Sequence, residues 1–257
     1  MPRFYVDPSN IFGDRMVLEG GEYNHLKNVL RKQVGDTLLI CDGEGHEYDC
    51  RIAAYEDGRV IFDILETREG NTELGISITL YQGLPKKDKM ELIIEKAVEL
   101  GAARIVPVAC ARSVVHWDDP AREEKKVKRF QAIAEAASKQ SGRGVIPEVS
   151  KVLSFADAMK EARGRCDTIL FPYENAEGMN TLKKCVSELK PGSKIAVFIG
   201  PEGGFDPDEV DTAEQAGAQI VSLGRRILRT ETAGLTMLSY LMIAAEMAEG
   251  MPGERFT

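Results

Sequence analysis

Ile195-Ala196-Val197-Phe198-Ile199 runs into Gly200-Pro201-Glu202-Gly203-Gly204-Phe205, and Ala218-Gln219-Ile220-Val221-Ser222 runs into Leu223-Gly224-Arg225-Arg226-Ile227-Leu228-Arg229-Thr230-Glu231-Thr232-Ala233. Each apolar run is short, rich in β-branched residues and bounded by glycine, so it reads as a buried strand. Asp206-Pro207 opens a helical stretch after the first loop, and Gly234 opens one after the second. Repeated strand, loop and helix is the grammar of an α/β sheet, whose ligands sit at the carboxyl ends of the strands. Both loops fall there, so they are expected to wall one pocket.

Working outward, strand candidates begin near Ile76, Arg104, Val145, Thr168, Lys194 and Gln219. Helical stretches lie between them at 89–100, 122–139, 155–162, 182–189 and 208–216, with a last one at 235–247. This alternation predicts a mostly parallel sheet with helices on both faces. In the last helix Leu235, Leu238, Leu241, Met242 and Ala245 form an apolar stripe, to be read as core packing or as a dimer interface. The first 70 or so residues are different. Strands are expected at 3–6, 37–41, 48–53 and 59–64, hairpin turns at Asp42-Gly43 and Asp57-Gly58, and one short helix at 22–31. Short strands with tight turns suggest a small barrel. The polar stretch Arg68 to Glu73 marks the boundary, giving domains 1–72 and 73–257.

The 257 residues are 43% hydrophobic and 29% charged, an ordinary globular composition long enough to bury a real core. No apolar run is long enough for a membrane span, and the N-terminus lacks the apolar core of a signal peptide. Cys41, Cys50, Cys110, Cys166 and Cys185 are odd in number and widely spaced, which favours a reduced cytoplasm over a disulfide framework. His25, His46 and His116 are scattered too, so no metal site is expected. The net charge of −8 argues against a nucleic-acid partner, but from Arg122 to Arg143 seven basic residues face only three acidic ones. That segment reads as a solvated helix face or as an RNA footprint.

The chemistry concentrates in the two loops. Glycines 200 to 204 let backbone N–H groups turn toward a ligand, yet their spacing fits neither the dinucleotide fingerprint nor the lysine-bearing phosphate loop. Glu202 would repel phosphate, so a neutral or cationic ligand suits the loop better. Arg225, Arg226 and Arg229 crowd a helix N-terminus, against the preference of the helix dipole for negative charge there. Thr230 and Thr232 could merely cap that helix. Lys86-Lys87-Asp88-Lys89 reads as a solvated first turn, and Gly142 as a helix terminator beside Arg143.

Five segments occur in one order along the chain: His25-Leu26 through Val29-Leu30-Arg31, Glu95 to Gly101, Glu135-Ala136-Ala137 with Gln140 to Arg143, Ile199 to Phe205, and Leu223 to Ala233. Together they resemble the bacterial 16S ribosomal RNA uridine N3-methyltransferase family (RsmE) of the SPOUT superfamily. The chain departs from the family where Leu84-Pro85-Lys86-Lys87 stands in place of the more usual Lys-Gly. The resemblance implies an N-terminal PUA-like β-barrel that binds RNA and a C-terminal SPOUT α/β domain with a deep trefoil knot. It further implies a homodimer with S-adenosylmethionine as methyl donor. The implied donor contacts are Ile199, Gly200, Pro201, Glu202, Gly203, Leu223, Gly224, Arg226, Ile227, Leu228, Thr230 and Ala233.

Uridine N3 is a poor nucleophile until its proton leaves. Arg229 is the candidate cation for the developing anion, while Glu231 either accepts the proton or holds Arg229. Arg31, Lys86, Lys87, Arg129 and Arg143 are the candidate contacts to the phosphates of 16S ribosomal RNA, with the assembled small subunit as the expected substrate. Two other readings stay open: another SPOUT methyltransferase acting on transfer RNA or a ribose hydroxyl, and a non-catalytic RNA-binding assembly protein.

Overall fold

A computed structural model describes residues 3–115, 119–176 and 178–249. The chain divides into two compact units, Met1–Glu73 with Ser138–Ile146, and Leu74–Ala137 with Pro147–Thr257.

In the first unit, strands β1 (Phe4–Tyr5), β2 (Ile11–Phe12), β3 (Arg15–Glu19), β4 (Thr37–Cys41), β5 (His46–Glu56) and β6 (Arg59–Glu69) form one curled sheet in the order β1-β4-β5-β6-β3-β2. Pairing is antiparallel except between β1 and β4. Asp57 and Gly58, at φ 48° and 78°, make the tight two-residue turn of the β5–β6 hairpin, because both central residues of such a turn need positive φ. Register shifts at Asp49/Cys50 and Ile52/Ala54 bend that hairpin. Phe4, Met16, Leu26, Ile40, Ile52 and Phe62 fill the core. Leu26 comes from a helical segment, α1 (Gly21–Asn24), that continues as a π-helical turn over His25–Val29.

Three sequence expectations change here. Strands β2 and β3 were absent from the sequence reading, although Met16 and Leu18 alternate inward. Strand β6 continues to Glu69, through residues assigned to the boundary. Its far half faces solvent, so polar side chains suit it, and Arg68 pairs with Asp49 at 2.8 Å. The strand expected near Val145 begins at Glu148, while Val145 itself bridges Gly43 and Glu44 in the first unit. The same segment supplies the Arg143 carbonyl, to which the Tyr5 hydroxyl donates, and the Ile146 N–H, which donates to Gly43 O at 3.1 Å.

The second unit carries β7 (Ser77–Gly83), α2 (Lys89–Glu99), β8 (Ala102–Ala109), β9 (Glu148–Val149), β10 (Leu153–Ser154), α4 (Phe155–Arg165), β11 (Thr168–Pro172), α5 (Asn180–Ser187), β12 (Lys194–Ile199), α6 (Pro207–Gln215), β13 (Gln219–Val221) and α7 (Thr230–Glu249). Helix α3 (Pro120–Ser141) lies between β8 and β9 in the chain and ends at Gly142, whose φ is 73°. The sheet is parallel throughout, ordered β10-β8-β7-β12-β11-β13, with β9 beside β8.

Helices cover both faces, so the central strands are apolar on each side. One core packs Leu80 and Val197 against Ile93 and Ile94 of α2 and Leu238 and Leu241 of α7. Across the sheet, Tyr81 and Phe198 stack at 4.5 Å, and Phe171 lies 4.2 Å from Phe205 between ring centroids. Helix α7 starts at Thr230, ahead of the expected Leu235, and so takes in Gly234. Among the described residues no helix is long and apolar enough to cross a membrane.

Candidate functional site

At the carboxyl ends of β11, β12 and β13 a cleft of about 380 Å³ is bounded by both glycine loops, with Pro172, Tyr173 and Glu174 on one side and Lys89 on another. Ile199, Gly200, Pro201, Glu202, Leu223, Gly224, Arg226, Ile227, Leu228, Thr230 and Ala233 all line it, as does Arg229. Gly203 and Glu231 lie beside the cleft without lining it. Tyr173, Glu174, Ser222 and Lys89 line it although the sequence does not mark them as site residues, and so does Arg225 of the second loop. The β11 contribution, Pro172-Tyr173-Glu174, has no glycine to reveal it.

The two loops are locked by one buried relay. The Thr230 hydroxyl donates to Gly200 O at 2.6 Å and accepts from Gln82 Nε2 at 2.8 Å. Thr230 therefore joins the loops as well as opening a helix. Gln82, fully buried near the end of β7, also donates to Gly83 O at 3.0 Å. Gly83 is required by closeness. A Cβ there would lie 2.7 Å from both Cδ and N of Pro201 and 3.0 Å from the Gly200 carbonyl carbon. The first loop is then turned into α6 by a capping box. The Asp206 carboxylate accepts from Asp208 N at 3.2 Å, and Glu209 accepts from Asp206 N at 2.9 Å and from Ala111 N at 2.8 Å.

The electrostatics differ from the sequence expectation. Glu202 does not face the cleft as a free charge. Its carboxylate accepts the Lys86 N–H at 3.1 and 3.2 Å and meets the Lys89 ammonium at 3.0 Å. Lys89 reaches Glu231 as well, at 3.1 Å, so it is half-buried in a double ion pair and is not part of a solvated turn. Burial alone would raise the pKa of both carboxyls. Their own backbone N–H groups and Lys89 outweigh it and hold both below the ordinary value of 4.5. A depressed folded-state pKa means stability present above about 4.5 and lost as pH falls through the folded value. Thermal melting from pH 6 to pH 3 is thus expected to show a steeper loss in the native chain than in Lys89→Met, and equal slopes would refute this assignment.

Arg225, Arg226 and Arg229 are exposed, and among the described residues no carboxylate lies within ion-pair distance of any of them. Three guanidiniums with no carboxylate at ion-pair distance, only Arg229 feeling the field of Glu231, make this part of the site attractive to an anion.

The remaining basic candidates are dispersed. Arg31 is exposed at φ 52°, closing the π-helical turn of the first unit. In the second unit, Lys86 and Lys87 are exposed beside the cleft, and Lys87 sits at φ 58°, the conformation glycine takes most readily. Arg129 is exposed but pairs with Glu91 at 2.8 Å. Arg143 departs from its expected role: its side chain is only 6% exposed and its guanidinium is spent on Glu73. A phosphate contact would have to break that pair. Among the described residues no group of His, Cys, Asp and Glu is arranged to hold a metal, and His116 lies outside them.

A family model described as an RNA methyltransferase domain matches residues 72–242, and one described as an RNA methyltransferase PUA domain matches residues 18–65. Ribosomal RNA small subunit methyltransferase E of Bacillus subtilis is 36% identical over 91% of this chain and 91% of its own length. Its counterpart from Mycobacterium bovis is 34% identical over 91% of this chain and 88% of its own. A crystal structure of ribosomal RNA small subunit methyltransferase E from Neisseria gonorrhoeae bound to S-adenosylmethionine superimposes with a TM-score of 0.79 at 32% identity. That match covers 95% of this chain and 97% of the other.

Proposed function

Since the chain belongs to the ribosomal RNA small subunit methyltransferase E family, we propose that it transfers a methyl group from S-adenosylmethionine to N3 of a uridine in 16S ribosomal RNA. The observation that carries this reading is the single cleft walled by both glycine loops. Its volume lies in the range of small-molecule sites, and its walls combine Gly200 to Glu202 of the first loop and Leu223 to Leu228 of the second with the apolar residues Ile199 and Ala233. Bound there, S-adenosylmethionine supplies an electrophilic methyl on a sulfonium. With Glu202 engaged by Lys89 and the Lys86 N–H, recognition falls mainly to backbone groups and shape.

The protein's part is alignment and charge. Loss of the uridine proton spreads negative charge over N3 and the two neighbouring carbonyls. Arg229, on the cleft wall without a carboxylate partner, is the cation for that charge. Glu231 is held by Lys89 with a lowered pKa, which makes it a weak base, so its role is to act on Arg229 through its field as a fixed carboxylate, without a direct ion pair.

Residues 1–72 would carry the RNA-binding role and 73–257 the transfer. Arg31, Lys86, Lys87 and Arg129 are the proposed phosphate contacts. Each one replaced by alanine should reduce the slope of log affinity against log salt by about 1, and an unchanged slope in all four would place the RNA elsewhere. The same reading includes a deep trefoil knot in the second unit, a cytoplasmic location and a homodimer. Exposed Tyr240, Ile243 and Met247 on α7 and Leu92 on α2 support a covering second copy.

Two measurements test the proposal. Calorimetry should show S-adenosylmethionine binding to the purified chain. Mass spectrometry of 16S ribosomal RNA from a deletion strain should show one lost base methyl. A lost ribose methyl, or no loss, would overturn it.

A further inference from the structure

Lys89 touches no reacting group in the chemistry above, yet it lines the cleft and is ion-paired on two sides. It is the first residue of α2, where the helix dipole disfavours a cation. The chain reaches it through Lys87 in the left-handed region, an uncommon conformation for a side-chain-bearing residue. Both costs are met at a position from which one ammonium touches Glu202 of the first loop at 3.0 Å and Glu231, beside the second, at 3.1 Å. The three side chains are 29%, 25% and 16% exposed, so solvent screens them only in part.

We propose that Lys89 is a positioning residue that holds the two glycine loops in register for the methyl donor by bridging the Glu202 and Glu231 carboxylates and screening their mutual repulsion. This rests on the cleft being the donor site. With Lys89 removed, Glu202 keeps the Lys86 N–H, Glu231 keeps the field of Arg229, and the two carboxylates are left facing one another. Like charges at this range repel, and the cheapest relief is for the loops to part. The relay through Thr230 would limit that movement without preventing it, because it anchors Gly200 but not Glu202.

The test is calorimetric titration of S-adenosylmethionine into the full chain as native, Lys89→Arg, Lys89→Met and Lys89→Met with Glu202→Gln, each checked for a cooperative thermal melt. Lys89→Met should raise Kd about tenfold, and Lys89→Arg should stay near native. Adding Glu202→Gln to Lys89→Met should recover most of the loss, because it removes the repulsion while restoring no packing. In steady state KM for the donor should rise far more than kcat falls. Native affinity in Lys89→Met, or an uncorrected loss in the double variant, overturns the proposal. If Lys89→Met does not melt cooperatively, Glu202→Gln and Glu231→Gln on the native background should each weaken binding about threefold, and unchanged Kd in both overturns it. A native chain that binds no S-adenosylmethionine refutes the cleft assignment itself, a result distinct from every other.

Discussion

Arg229→Ala is expected to lower kcat by about a hundredfold or more while shifting Kd for S-adenosylmethionine by no more than about threefold, the pattern of a group that acts on charge developing in the transition state. Three features set this expectation. Arg229 lines the cleft, it is exposed, and among the described residues no carboxylate is within ion-pair distance of it. Its backbone carbonyl, which accepts the Ala233 N–H at 2.8 Å, survives the substitution, so α7 should still start in place. Single-turnover rates on small ribosomal subunits, alongside calorimetry, separate the two quantities. A variant with native turnover would remove Arg229 from the mechanism. One that lost donor affinity in proportion to rate would make it a binding residue.

Gly83→Ala is the second large effect. A methyl group at Gly83 would sit 2.7 Å from Pro201 N and 3.0 Å from the Gly200 carbonyl carbon, and neither is the tip of a flexible side chain. Strand β7 or the first loop must move. Strand β7 is a central strand, paired along its length to β8 and β12, so the loop yields. The overpacking should cost about 1–3 kcal/mol of stability and abolish measurable donor binding. Gly164→Ala, within α4 and with nothing beyond its own helical turn and chain neighbours within 4 Å of its Cβ, is the control and should leave binding intact. Native affinity in Gly83→Ala would mean that the loop has slack the geometry does not show.

Much of this was readable in the chain. Gly200 to Gly204 and Leu223 to Leu228 announced their loops, because a short β-branched run ending in glycine has few other interpretations. Asp57-Gly58 announced its hairpin because two successive positive φ values favour those residues. What stayed hidden depends on distant partners. Gln82 looks like any polar residue on an apolar strand until Thr230, 148 residues later, folds against it. Lys89 looks like a solvated first turn until Glu202 arrives from the first loop and Glu231 from the first turn of α7. Arg143 misled for the same reason: a basic residue in a basic run suggests phosphate, and only the structure shows Glu73 already there. Val145 had the apolarity of a strand start, but its pairing partners lie at Gly43 and Glu44, out of reach of any local pattern.

Because the first unit includes Ser138–Ile146, its sheet is an unfinished object for much of the chain's synthesis. Leaving the ribosome N-terminus first, β1 to β6 emerge with the Tyr5 hydroxyl, the Gly43 carbonyl and Glu73 still lacking the groups that satisfy them. Those groups are translated only after β7, α2, β8 and α3. A gene truncated at the apparent boundary should therefore yield a fragment that chaperones retain or proteases clear, and the nascent half must wait for its own closing segment.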